Sequence, residues 1–198
     1  MKTRFILLTA LLLFSRGCDF YSTSLWIFQE NGLAGEMNPL TRIFGLGWNG
    51  LIVTNVIIIS VIIGLLFYYF FRYQTPMNFP EKPANFREFV SLLYFDNSYS
   101  FYRVFYSSPK NKRVFYAHTG YVLTVTAIVG SFLATFHNIC QYYSFEFYNQ
   151  YREWVGRPLY VIYFLIFLTI AATLRRLLQV EYKRYNMLWS RGIGADQP

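Results

Sequence analysis

Arg16, Asp19, Thr23 and Trp26 are spaced by three, four and three residues, so on a helix they share one face. Ser15 and Ser22 flank that face, and the stretch around it from Phe5 to Phe28 is mostly apolar. An Asp or Arg at the centre of a membrane helix costs about 2.5–3.5 kcal/mol on insertion scales, so such side chains face other protein and find partners. Asp19 sits about nine residues from the outer end of this helix, about 14 Å deep at helical rise. Arg16 and Asp19, three apart, can neutralise each other and act as a packing pair.

A larger constellation is also possible. The outer connection from Gln29 to Gly50 is glycine-rich yet apolar, with Leu33, Met37, Leu40, Ile43, Phe44 and Trp48. It is expected to pack back into the mouth of a helical bundle, because irregular backbone at membrane depth needs protein or a water-filled cavity around it. Within Gly35-Glu36-Met37-Asn38-Pro39, Asn38 as N-cap and Pro39 at the first helical position predict a short helix through about Phe44. Asp19, Ser22, Thr23, Glu36, Asn38 and Asn55 then make one oxygen-rich pocket opening outward. Such a pocket suits a proton, a hard cation or the polar head of a substrate. Two carboxylates brought close cannot both stay ionised cheaply, which opens general acid–base chemistry.

These residues carry a resemblance. Asp19-Phe20-Tyr21-Ser22-Thr23 followed by Gly35-Glu36-Met37-Asn38-Pro39-Leu40 resembles an uncharacterised family of small prokaryotic multi-pass membrane proteins. That family carries Asp-x-x-Ser/Thr-Thr in a first helix and then Glu-x-Asn-Pro. The similarity covers about residues 5–70 and implies a helical bundle. It implies no reaction.

The elements that must position these groups follow from composition. Of 198 residues, 55% are hydrophobic and 14% charged, against about 25% charged in a soluble domain. Four runs reach the roughly 20 residues that cross hydrocarbon: about 5–28, 51–71, 114–136 and 158–174. The third carries Thr119, Thr124, Thr126, Ser131 and Thr135, which suits a helix packed against others. Lys2 and Arg4 ahead of the first run resemble a secretory signal, and Ser15-Arg16-Gly17-Cys18 a lipoprotein box. The apolar stretch continues past Cys18, so an uncleaved helix is expected, with cleavage or lipidation at Cys18 as alternatives.

Of the 18 Lys and Arg residues, 14 fall in residues 1–4, in segment 72–113 and in the tail 175–198. Only Arg42, Arg152 and Arg157 fall on the opposite side. This asymmetry predicts both termini inside. The expectation is therefore one all-α membrane domain over residues 1–198, a four-transmembrane-helix bundle, N-in/C-in, in a bacterial cytoplasmic membrane. In segment 72–113, Asn85 and Glu88 have capping spacing ahead of Phe89, Val90 and Leu93. They predict an amphipathic helix of about ten residues, either on the inner membrane face with Arg87 toward headgroups or docked on the bundle's own end. Residues 138–156 are rich in Tyr, Phe and Trp, expected as interfacial packing, with an aromatic ligand cradle as the alternative.

The net charge of +8 sits beside the apolar runs, where it sets topology and attracts anionic lipid, and not in a nucleic-acid-binding arm. Cys18 and Cys140 form no CxxC, and His118 and His137 lie about 28 Å apart along one helix, so the sequence implies neither metal nor cofactor. No Ser-His-Asp pattern, phosphate loop or HExxH is present. Two function classes remain. One is a non-catalytic subunit that binds lipid or a protein partner, or pairs with copies of itself, and uses Arg16–Asp19 for packing. The other is a small transporter, ion-coupled factor or lipid-modifying enzyme that uses the outward polar site.

Overall fold

A computed structural model describes residues 1–27, 45, 47–76, 79 and 82–190. These residues form six α-helices and one short 3₁₀ turn, with no strand among them. They are α1 (Lys2–Ile27), α2 (Trp48–Phe71), α3 (Phe86–Phe95), the 3₁₀ turn (Phe101–Phe105), α4 (Lys112–Tyr142), α5 (Glu146–Val155) and α6 (Pro158–Trp189). Helices α1, α2, α4 and α6 are each long and apolar enough to cross a membrane. This agrees with the four runs read from the sequence. The protein is all-helical with the makings of a multi-pass membrane protein.

Helices α4 and α6 have 31 and 32 residues, well beyond the apolar runs inside them. The reason is local: Arg175-Arg176 ends a hydrophobic run but does not break a helix, since Arg is a good helix former. Helix α4 stops only near Ser144, which is held at φ +51°. Gly156 at φ +74° closes α5, a conformation open to glycine at little cost, and Pro158 starts α6 where no N–H is needed.

The chain divides into two compact units: Met1–Gly64 with Leu123–Ile170, and Leu65–Val122 with Ala171–Pro198. In the first, Leu12 and Leu51 are fully enclosed. Phe14 meets Phe132 with ring centroids 6.2 Å apart, and Phe20 meets Trp48 edge-on at 6.0 Å. Val53, Val56, Ile57 and Val61 of α2 point outward, as befits a helix side that meets lipid tails or another helix.

In the second unit, Gly120 permits a very close approach: a methyl group there would lie 2.5 Å from the carbonyl carbon of Leu65. Helix α3 is where the spacing of Asn85 and Glu88 places it. The Asn85 side chain accepts from the Glu88 N–H at 3.0 Å, and the Glu88 carboxylate accepts from the Ala84 N–H at 2.8 Å. Its apolar face, with Phe89, Val90 and Leu93, is buried against Val114, Ala117, Leu178 and Tyr185. Of the two positions open to this helix, docking on the chain's own core is the one found. Arg87 stays exposed, with its guanidinium carbon 6.0 Å from the Phe101 ring centroid.

Candidate functional site: a polar seam around Arg16

The seam lies in the first unit, where α1, α2 and α4 bring their few polar side chains together. Arg16 Nη1 donates to Asp19 Oδ2 at 3.0 Å and to Ser131 Oγ on α4 at 3.1 Å. Its Nη2 donates to Asn55 Oδ1 on α2. One guanidinium thus ties three helices, using the planar fork of donors that Arg alone provides. Asn55 is itself oriented, since its Nδ2 donates to the Leu51 carbonyl at 2.8 Å. A second tie runs from Asn138 on α4, whose Nδ2 reaches Ser22 Oγ at 3.2 Å and Thr23 Oγ1 at 3.4 Å. Ser22 in turn donates to the Asp19 carbonyl at 2.9 Å.

Burial makes these bonds matter. Ser15, Ser22 and Ser131 are enclosed, and Asn55 and Thr23 nearly so, while the Arg16 and Asp19 side chains keep 23% and 18% of their accessibility. A buried polar group left unbonded costs about 1–3 kcal/mol, so the bonded groups of the seam stabilise the meeting of the α1, α2 and α4 faces that carry them. Trp26, at the end of the same stripe, packs edge-on against Tyr142 at 5.8 Å.

Of the residues expected at a polar pocket, Asp19, Ser22, Thr23 and Asn55 are brought into this one connected set. Glu36 and Asn38 lie outside the described residues, and so does the short helix expected after Pro39. Ser131 and Asn138 belong to the seam but were not among the expected site residues. A signal existed: Thr124, Ser131 and Asn138 recur every seven residues, two helical turns, and so share one face of α4. Thr124 and Ser131 are both enclosed.

The histidines have separate roles. His137 Nδ1 is hydrogen-bonded to the Tyr148 hydroxyl of α5, and burial pushes that phenol up to about 12. In the second unit, His118 Nδ1 is bonded to the Tyr94 hydroxyl at 2.7 Å, and Thr75 donates to the buried carboxylate of Glu181. Burial, and then the charge of Glu181, raise the Tyr94 phenol above its ordinary value. Neither histidine pair follows from spacing, because the partners come from different helices. Among the described residues, no three His, Cys, Asp or Glu side chains gather where they could hold a metal ion.

No protein-family model, no curated protein and no solved structure matches the chain.

Proposed function

We propose that this chain is a non-catalytic multi-pass membrane subunit that binds lipid or a partner protein, and that Arg16 and Asp19 are its structural joint. The observation that carries this reading is the engagement of Arg16 by Asp19, Asn55 and Ser131 on three helices. A guanidinium whose donors go to internal partners offsets the charge of the carboxylate beside it and leaves few of those donors for a ligand. The outward apolar side chains of α2 offer lipid tails or a neighbouring helix a surface. The proposed setting is a bacterial cytoplasmic membrane with both termini inside, as the Lys and Arg distribution favours. The likeness of residues 5–70 to an uncharacterised prokaryotic family belongs to the same proposal.

The test is complementation of a deletion strain with Arg16→Gln and Asp19→Asn, with protein level measured in parallel. A joint loses abundance, and the phenotype follows the abundance. Full abundance with lost function would instead assign these groups to a working polar site of a transporter or lipid-modifying enzyme.

A further inference from the structure

In the second unit, the segment between α3 and α4 encloses a cleft of about 320 Å³ lined by Asp96, Asn97, Arg103, Ser107, Ser108 and Lys110. Its walls are held by the main chain. The N–H groups of Lys110 and Asn111 both donate to the Tyr94 carbonyl, at 2.9 and 3.1 Å, and the Ser107 N–H donates to the Arg103 carbonyl at 2.8 Å. Asp96 closes α3 in the left-handed region, its N–H bonded to the Leu92 carbonyl at 3.0 Å. The cleft is therefore set by backbone bonds, and its charged side chains are left over.

Arg103 and Lys110 are exposed, and the one ion pair among the described residues is Arg16–Asp19. Two cations without a carboxylate partner there, set among serine hydroxyls, are the donor set that takes a phosphate: the Arg fork in bidentate fashion, the Lys as a point charge. Asp96 opposes a bare anion, so the set favours a phosphate whose own molecule carries an amine or hydroxyl to meet that carboxylate.

Position supplies a second, independent argument. Tyr99, Tyr102 and Tyr106, which flank Arg103, are 94%, 66% and 75% exposed. Exposed tyrosines are the residues that settle at headgroup level. The apolar run of α4 begins at Val114, four residues beyond Lys110 and two after the helix itself starts at Lys112. In the proposed membrane setting, a phosphate held by Arg103 and Lys110 would stand near the start of that run.

We propose that Arg103 and Lys110, with Ser107, Ser108 and Asp96, form a binding site for a phosphodiester that bears an amino or hydroxyl group. The site is independent of the role assigned to Arg16 and Asp19. The test uses the full chain, purified and stripped of lipid in mild detergent, with added phosphatidylethanolamine followed by native mass spectrometry. The wild type is expected to hold one lipid at low stoichiometry. Arg103→Gln combined with Lys110→Gln is expected to weaken this about tenfold or more, the scale of losing one charge-assisted contact. Arg113→Gln, which removes one exposed charge outside the cleft, serves as the control for loss of charge elsewhere and is expected to bind as the wild type does. Both cleft cations are exposed, so an unchanged melting temperature accompanies the loss. Competition by glycerophosphoethanolamine as strong as by the lipid assigns the site to a soluble phosphoester, and competition by the acylated form alone assigns it to a membrane lipid. Equal binding by the double variant, or an equal loss in Arg113→Gln, overturns the proposal.

Discussion

The guanidinium of Arg16 donates to Ser131 Oγ over 3.1 Å, across a sequence separation of 115 residues. Interhelical hydrogen bonds of this kind contribute about 0.6 and at most about 1.7 kcal/mol in a membrane protein. Ser131→Ala is expected to cost that much in unfolding measured in detergent micelles. A buried ion pair replaced whole by apolar residues is often tolerated, whereas one partner removed alone leaves an uncompensated charge. In an Arg16→Leu/Asp19→Leu background, Ser131→Ala should therefore cost almost nothing. Equal losses in both backgrounds would show that Ser131 does not act through Arg16.

Glycines on the helices divide by what surrounds them. A methyl at Gly120 meets the Leu65 carbonyl carbon at 2.5 Å, whereas at Gly130 the nearest atom is Ile166 Cδ1 at 3.5 Å, and at Gly64 nothing lies within 4 Å. Gly120→Ala forces two helix backbones apart and should cost about 1–3 kcal/mol. Gly64→Ala should be neutral or stabilising, because alanine is the better helix former by about 1 kcal/mol. Melting temperatures of the three alanine variants in one detergent rank them, and a Gly120→Ala protein as stable as Gly64→Ala would contradict the packing.

Helix α3 depends on its cap. Asn85→Ala removes the acceptor for the Glu88 N–H, at a cost of about 0.5–2 kcal/mol. Asn85→Asp keeps an acceptor and should restore most of it. Hydrogen exchange of the α3 amides reads the effect directly: protection is expected to fall in the alanine variant first at Glu88 and Phe89.

Alkaline pH provides a separate handle on helix α5. The Tyr148 phenol is pushed up to about 12, first by burial and then by the neighbouring Tyr151. An unfolded tyrosine ionises near pH ~10. The folded state thus keeps its proton longer than the unfolded one. The stabilisation is complete below about pH 10 and is lost as pH rises through about 12. The wild-type melting temperature should fall more steeply over that window than that of Tyr148→Phe. Parallel slopes would refute the assignment.

Orientation is tested by fusing reporters after residue 190. With 14 of 18 Lys and Arg residues in the N-terminal, 72–113 and tail segments, a fused fluorescent protein should mature and a fused alkaline phosphatase should stay inactive. Active phosphatase would reverse the topology.

The long helices were legible because about 20 consecutive apolar residues leave few alternatives in water or lipid. Helix α3 was legible for a local reason, since Asn85 and Glu88 satisfy each other's neighbours within one turn. The face of α1 carrying Arg16, Asp19 and Thr23 could also be read, because 3.6-residue periodicity is a property of one helix alone. What answers that face could be read only in part: Asn55 was expected beside it, but the pairings were not. Asn138 on Ser22 and Asn55 on Arg16 depend on which sides of separate helices meet, and spacing within one helix carries no such information. The same holds for His137 on Tyr148 and His118 on Tyr94.

The sequence distance between Arg16 and Ser131 also constrains how the protein is made. At roughly 5–20 residues per second, a ribosome needs on the order of 6–23 s to synthesise the 115 residues that separate them. In the proposed membrane setting, the arginine of α1 waits through that whole interval for Ser131, and through the first part of it for Asn55, which lies 39 residues away. Asp19, three positions away, is the sole member of the set born with it. In that setting the pair would act as a travelling counter-ion that lets a charged helix wait for the rest of the chain, which gives selection a reason to hold the two residues at that spacing whatever the finished protein binds.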